Sequence, residues 1–145
     1  MTNEVFLVAY EDETHSERVL SYAIARAQKN SASILVAHIL QWSPYSFLTQ
    51  EELAERHMRR REELARAQAA IIDPAMARVR AAGLQADAAL RYGGVVELLV
   101  EIASESGAAL IFVGRSGAGS IAARVFGSVP LGLAQIAPVP TVIVP

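Results

Sequence analysis

Apolar and polar positions alternate along this chain between two periods. Val5-Phe6-Leu7-Val8-Ala9-Tyr10 is a nearly continuous apolar run. A run of this length predicts a strand buried on both faces. Glu11-Asp12-Glu13-Thr14 follows as a polar loop, and then Val19, Leu20, Tyr22, Ala23, Ile24 and Ala27 recur at helical spacing. Thr14 or Ser16 is the expected cap of that helix, and Asn30 marks its end. Ser33 to Leu40 is the second apolar strand. Gln41 to Ser46, with Pro44, reads as a loop.

From Leu48 the pattern turns helical and stays so for a long stretch. Thr49 followed by Glu52 predicts a capping box. The early part, Glu51 to Glu63, is heavily charged. Proline in a helix interior costs about 3 kcal/mol, so Asp73-Pro74 predicts a kink or a restart with Asp73 as cap. Gly83 ends the helix. Gln85 to Arg91 alternates polar and apolar, as in a strand nearer the sheet edge. Gly93-Gly94 turns the chain into an amphipathic helix, Val95 to Ser106, closed by Gly107. Ala108 to Val113 is another buried strand, Gly114 to Ser120 is glycine-rich, and Ser128 to Ile136 is helical. Pro138 and Pro140 break that helix before a last strand, Thr141-Val142-Ile143-Val144. The order β-α-β-α-β-α-β-α-β implies an α/β three-layer sandwich around a parallel sheet.

Composition narrows the picture. With 145 residues, 52% of them hydrophobic and 19% charged, the chain fits one globular domain. It has no cysteine, which excludes disulfides, thiolate metal sites and a cysteine nucleophile. A net charge of −2 leaves no electrostatic footprint for nucleic acid or an anionic membrane. No apolar run approaches the ~20 residues that span a bilayer, and the N-terminus lacks the basic start of a signal peptide. A cytoplasmic location is the expectation. Lys29 is the only lysine and sits at an expected helix end, where a cation suits the helix dipole.

The chemistry concentrates in Gly114-Arg115-Ser116-Gly117 and, after nine intervening residues, Gly127-Ser128. Gly114 follows a strand and Ser128 precedes a helix. Glycines here allow close backbone approach, and free N–H groups beside a helix N-terminus form an anion cradle. The pattern is neither a Walker A loop nor a dinucleotide fingerprint. Arg115 and Arg124 flank or interrupt it, and either suits phosphate through its planar fork. A solvent or dimer-face role is the favoured reading of Arg124. His38 reads as a hydrogen-bonded core residue, and His15 and His57 lack an evident partner. His57 to Arg61 is a basic patch among glutamates, which reads as a salt-bridged helix face. Trp42 and Phe47 either cover a ligand or pack on the long helix.

Gly-x2-Gly-x9-Gly-Ser after a strand resembles the nucleotide-binding signature of the universal stress protein family. Val8 to Glu11 with His15 to Leu20, Leu35 to Ile39, and Ala137-Pro138-Val139-Pro140 with the last strand are similar to other parts of that family. The resemblance spans essentially the whole chain. It implies a five-stranded parallel sheet of order 3-2-1-4-5 with four helices, and a dimer. It also implies ATP, with Gly117, Gly127 and Ser128 on the phosphates, Gly114 near the ribose and Ile39 presenting backbone to adenine. Glu11 would contact the ribose, and Ala9, Arg115 and Val129 complete the expected site. The family commonly has Asp-Gly-Ser where this chain has Glu11-Asp12-Glu13. Three adjacent carboxylates repel a triphosphate unless they point away or hold Mg²⁺, for which Asp12 is the candidate. An acidic loop capping the first helix is the favoured reading.

The resemblance implies an adenine-nucleotide-binding stress module with no catalytic residue. The alternatives are a dimeric adaptor without nucleotide and, less favoured, a slow ATPase. An apolar edge strand at Thr141–Val144 predicts a homodimer. A protein partner is implied but not identified.

Overall fold

In a computed structural model of the chain, residues 3–41, 49–115 and 129–145 are described. Five strands form one parallel sheet: β1 (Val5–Ala9), β2 (Ser33–Gln41), β3 (Ala86–Gly93), β4 (Leu110–Gly114) and β5 (Thr141–Val144). Their spatial order is β3-β2-β1-β4-β5, as the resemblance implied. The helices are α1 (Glu13–Asn30), α2 (Gln50–Ala67), α3 (Asp73–Ala81), α4 (Val95–Ser106) and α5 (Val129–Ile136). A π-turn, Gln68–Ile72, joins α2 to α3, so the four expected helices appear with the second one divided.

Strand alternation sends residues to two cores. Phe6, Val8, Ile34, Val36 and Phe112 face α1, the π-turn and α3, where Val19, Leu20, Ala23, Ile72, Ala75 and Val79 meet them. Leu7, Ala37, Ile111 and Val113 face the other way, toward Leu99, Ile102 and Leu133 of α4 and α5. The Phe6 and Phe112 rings sit 5.2 Å apart, tilted by 46°. Each such fully buried side chain contributes about 1.5–3 kcal/mol of apolar burial. The central register Leu7↔Ile111 and Leu7↔Leu35 is thereby fixed, because a one-residue slip would exchange the two cores.

Several local expectations hold and some need correction. The Thr49–Glu52 capping box forms. Gly107, at φ +66°, closes α4 in the left-handed conformation that glycine adopts without strain. The α1 cap is Asp12, not Thr14 or Ser16. Its extended backbone lets Oδ1 accept from the His15 N–H at 2.7 Å, so the helix begins at Glu13. The chain does restart at Asp73, but Asp73 is no cap. Its own backbone is helical and its N–H donates to the Gln68 carbonyl. That i→i−5 bond widens the helix before Pro74, whose ring would clash with the carbonyl four residues back. The Asp73 carboxylate instead accepts from the Gln68 amide at 2.8 Å.

Candidate functional site

β1 and β4 are neighbours, yet the strand that follows each lies on opposite sides, β2 after β1 and β5 after β4. Ligands of open α/β sheets bind in the crevice beyond the strand carboxyl ends at such a switch point. Ala9 ends β1 there, half-buried, and Gly114 ends β4 there, paired with Val144. The Arg115 N–H donates to the Val144 carbonyl at 2.8 Å, and its side chain is exposed. Val129 opens α5, half-buried in the second core. Gly117, Gly127, Ser128 and Arg124 lie outside the described residues, as do Trp42 and Phe47.

β2 outruns β1. The β1–β2 register ends at Ala9↔Ala37, while β2 continues to Gln41 against β3. The Tyr10 N–H donates to the Ala37 carbonyl at 2.9 Å, so Ala37 turns its backbone toward β1. Alternation makes Ile39 do the same, two residues on, where β1 has ended. No described residue hydrogen-bonds to the Ile39 N–H. Its donor and acceptor are therefore presented to the crevice rather than to a strand.

His38 shapes this gap. It is buried, and its Nδ1 donates to the Tyr10 carbonyl at 2.8 Å. That bond takes the acceptor that would otherwise pair with Ile39 and fixes the exit of β1. His38 is thus the hydrogen-bonded core histidine expected from its strand position.

The acidic turn is organised rather than repelled. Asp12 caps α1, and Glu13 stands in the first turn, where the helix dipole favours a negative charge. The Glu11 N–H donates to the Ser16 hydroxyl at 2.8 Å, and its side chain is exposed beside the crevice. His15, expected to lack a partner, has one: its Nδ1 lies 2.9 Å from each Asp12 oxygen. The hydrogen bond to Asp12, and then its charge, raises the imidazole above its ordinary value. Burial pushes the Asp12 carboxyl up, but the His15 bonds outweigh it and hold it below the usual range. An Asp followed by a ring donor three residues on was the signal available in the sequence.

Farther out, α2 reaches back to β3 through Tyr92. Its hydroxyl donates to Glu63, and the Arg60 guanidinium lies 5.3 Å over its ring. The expected salt-bridged face of α2 includes Arg59–Glu55 at 3.7 Å.

The sequence profile of the universal stress protein family matches residues 2–145. The chain belongs to the universal stress protein family. A search of curated proteins finds no match. Among solved structures, universal stress protein UspA from Lactobacillus plantarum is 15% identical, with a TM-score of 0.79 over 100% of this chain and 99% of that one. A universal stress protein in complex with cAMP is 25% identical, with a TM-score of 0.69 over 100% and 98%. A third, from Archaeoglobus fulgidus in complex with dAMP, is 18% identical, with a TM-score of 0.65 over 99% and 98%. The latter two structures each hold an adenine nucleotide. No helix among the described residues is long and apolar enough to cross a membrane.

Proposed function

We propose that this chain is an adenine-nucleotide-binding stress or regulatory module, with ATP as its ligand. The observation that carries the reading is the gap beside Ile39. A backbone donor and acceptor left open at a switch point match the paired acceptor and donor on the edge of an adenine ring. In this reading Glu11 meets the ribose near Gly114. Gly117, Gly127 and Ser128, by the family signature, take the phosphates. Bound nucleotide then acts by stabilising one conformation or partner surface through differential affinity.

Magnesium would arrive with the phosphates. Asp12 already accepts from the His15 backbone and ring, so ligating a metal there would cost it that partner. Exposed Glu11 has no such commitment in its side chain among the described residues. The acidic turn also favours a second reading, a dimeric adaptor without nucleotide. Thr141–Val144 is an edge strand whose Ile143 is 47% exposed, and it is proposed to pair two copies. Val142 packs against the first core, so a disrupting charge belongs at Ile143.

Acid extraction of freshly purified protein tests the reading. Near-stoichiometric ATP is expected, and it should be lost in a folded Gly117→Val, Gly127→Val variant. ADP in its place would call for a turnover assay. An empty protein with no thermal shift on adding ATP and Mg²⁺ would leave the adaptor.

A further inference from the structure

The sheet has a second open edge, and its residues are self-complementary. β3 forms that edge with eight residues and no proline, whereas β5 has four residues between Pro140 and Pro145. The backbone parity of β3 follows from its pairing with β2. The Ile34 N–H donates to the Gln85 carbonyl, and the register runs Ile34↔Ala86 through Gln41↔Gly93. In a parallel ladder this turns the N–H and C=O of Asp87, Ala89, Arg91 and Gly93 toward β2. The backbone groups of Ala86, Ala88, Leu90 and Tyr92 face outward. Among the described residues, none of those outward groups has a backbone or side-chain partner across the edge.

Side chains alternate as well. Ala89 packs into the core on the α4 side, so Asp87 and Arg91 share that face. Arg91 is held there by Glu105 at 2.8 Å, with Glu101 at 4.0 Å, and keeps 36% of its side-chain exposure. Asp87 is exposed and makes no hydrogen bond or ion pair among the described residues.

We propose that β3 pairs with β3 of a second copy of this chain, antiparallel, about a two-fold axis at Ala89. This register places Ala88 opposite Leu90 and Ala86 opposite Tyr92 of the other copy. Those are the residues with outward backbone groups, so each pair exchanges two hydrogen bonds. Asp87 then stands opposite Arg91 of the other copy, and Arg91 opposite its Asp87. They fall at the non-hydrogen-bonded positions, where Cα atoms approach to ~4.5 Å and opposite charges attract. Backbone bonds supply the affinity. The crossed charges set the register, because any shift by two residues sets an alanine or glycine opposite one of them. Ala89 on the axis has a side chain small enough for its twin to approach. This contact does not depend on nucleotide, and it lies on the opposite edge from the proposed β5 contact.

The test isolates this edge by placing Ile143→Asp in every protein, which removes the other one. Analytical ultracentrifugation between micromolar and millimolar concentration should still show a dimer. Asp87→Arg sets arginine against Arg91, and Arg91→Asp sets aspartate against Asp87. Each alone is expected to weaken the dimer about tenfold or more. An equimolar mixture of the two variants should restore it, since both crossed pairs become attractive again. Asp87→Arg breaks no observed contact, so it tests the edge even if Arg91→Asp, which loses Glu105, folds poorly. In the parent, the Ala88 and Leu90 amides should exchange more slowly at high concentration and the Ala89 amide should not change. A monomer at millimolar concentration, an Asp87→Arg protein that associates as before, or a mixture no tighter than its components would each overturn the proposal.

Discussion

α2 and α3 belong to one helical rod, but they are held by different forces. Along α3 and the π-turn, Ile72, Ala75 and Val79 are fully buried against the sheet. Along the 18 residues of α2, only Ala67, at the junction, is buried. Length explains part of this. The rod from Gln50 to Ala81 is ~48 Å long at 1.5 Å per residue. β2, with nine residues, spans ~30 Å. The rod therefore overruns the strands, and α2 must persist without a sheet beneath it. It does so through its capping box, its charged side chains and the Tyr92 tether. The contrast separates helix made by burial from helix made by local chemistry.

Breaking the buried half should cost most. Ile72→Ala is expected to lose about 2–5 kcal/mol of global stability in urea unfolding. Met58→Ser, at a position 61% exposed in α2, should stay within ~0.5 kcal/mol. Equal losses at the two sites would mean that α2 is buried in solution. Thr49→Ala removes half of the capping box, an effect of about 1 kcal/mol on the helix. Because the first turns of α2 are exposed and lie far from the Tyr92 tether, that loss should show as faster amide exchange there, with little change in the urea midpoint. Tyr92→Phe should do the same at the other end of α2, near Glu63. The Tyr92 phenol, pushed up to about 12 by burial and by Glu63, gives a second readout. Its ultraviolet titration should fall back toward 10 in Glu63→Gln.

The same division decides what the sequence made legible. Strands and buried helices announce themselves through apolar spacing, so β1, β2, α1, α4 and the order of elements were readable. The strand order came only with the family resemblance, because no local pattern tells Phe6 which neighbour it pairs with. Asp73-Pro74 gave the restart but not the π-turn, since proline forbids one bond without specifying its replacement. At the site, Ile39 was legible by resemblance. The reason it stands open was not, because it depends on β1 stopping two residues before β2 reaches it and on His38 taking the Tyr10 carbonyl. Gly114 was legible as the residue at the exit of a strand, whereas the apolar run carried β1 one residue too far, to Tyr10. The acidic turn was misleading when counted as three charges. Asp12 and Glu13 belong to the start of α1, which leaves Glu11 as the carboxylate beside the crevice.

The two helix starts offer the finest comparison. α2 is capped by a threonine hydroxyl, which does not titrate near neutral pH. α1 is capped by a carboxylate bonded to an imidazole, which does. His15 is raised above its ordinary 6.5, so its contribution is complete below pH 6.5 and is lost as pH climbs through the raised value. Asp12 is lowered, so its contribution exists above its ordinary 3.8 and is lost as pH falls through the lowered value. The charged pair thus operates between those two limits. Both groups are exposed, so the effect is a local one, read best at the residue itself. Proton NMR of the His15 ring should give a midpoint above 6.5, and Asp12→Asn should bring it down to about that value. Above the midpoint, amides in the first turn of α1 should exchange faster than the base-catalysed trend that the α2 amides follow. A His15 midpoint at or below 6.5 would mean that Asp12 caps the helix through the backbone alone.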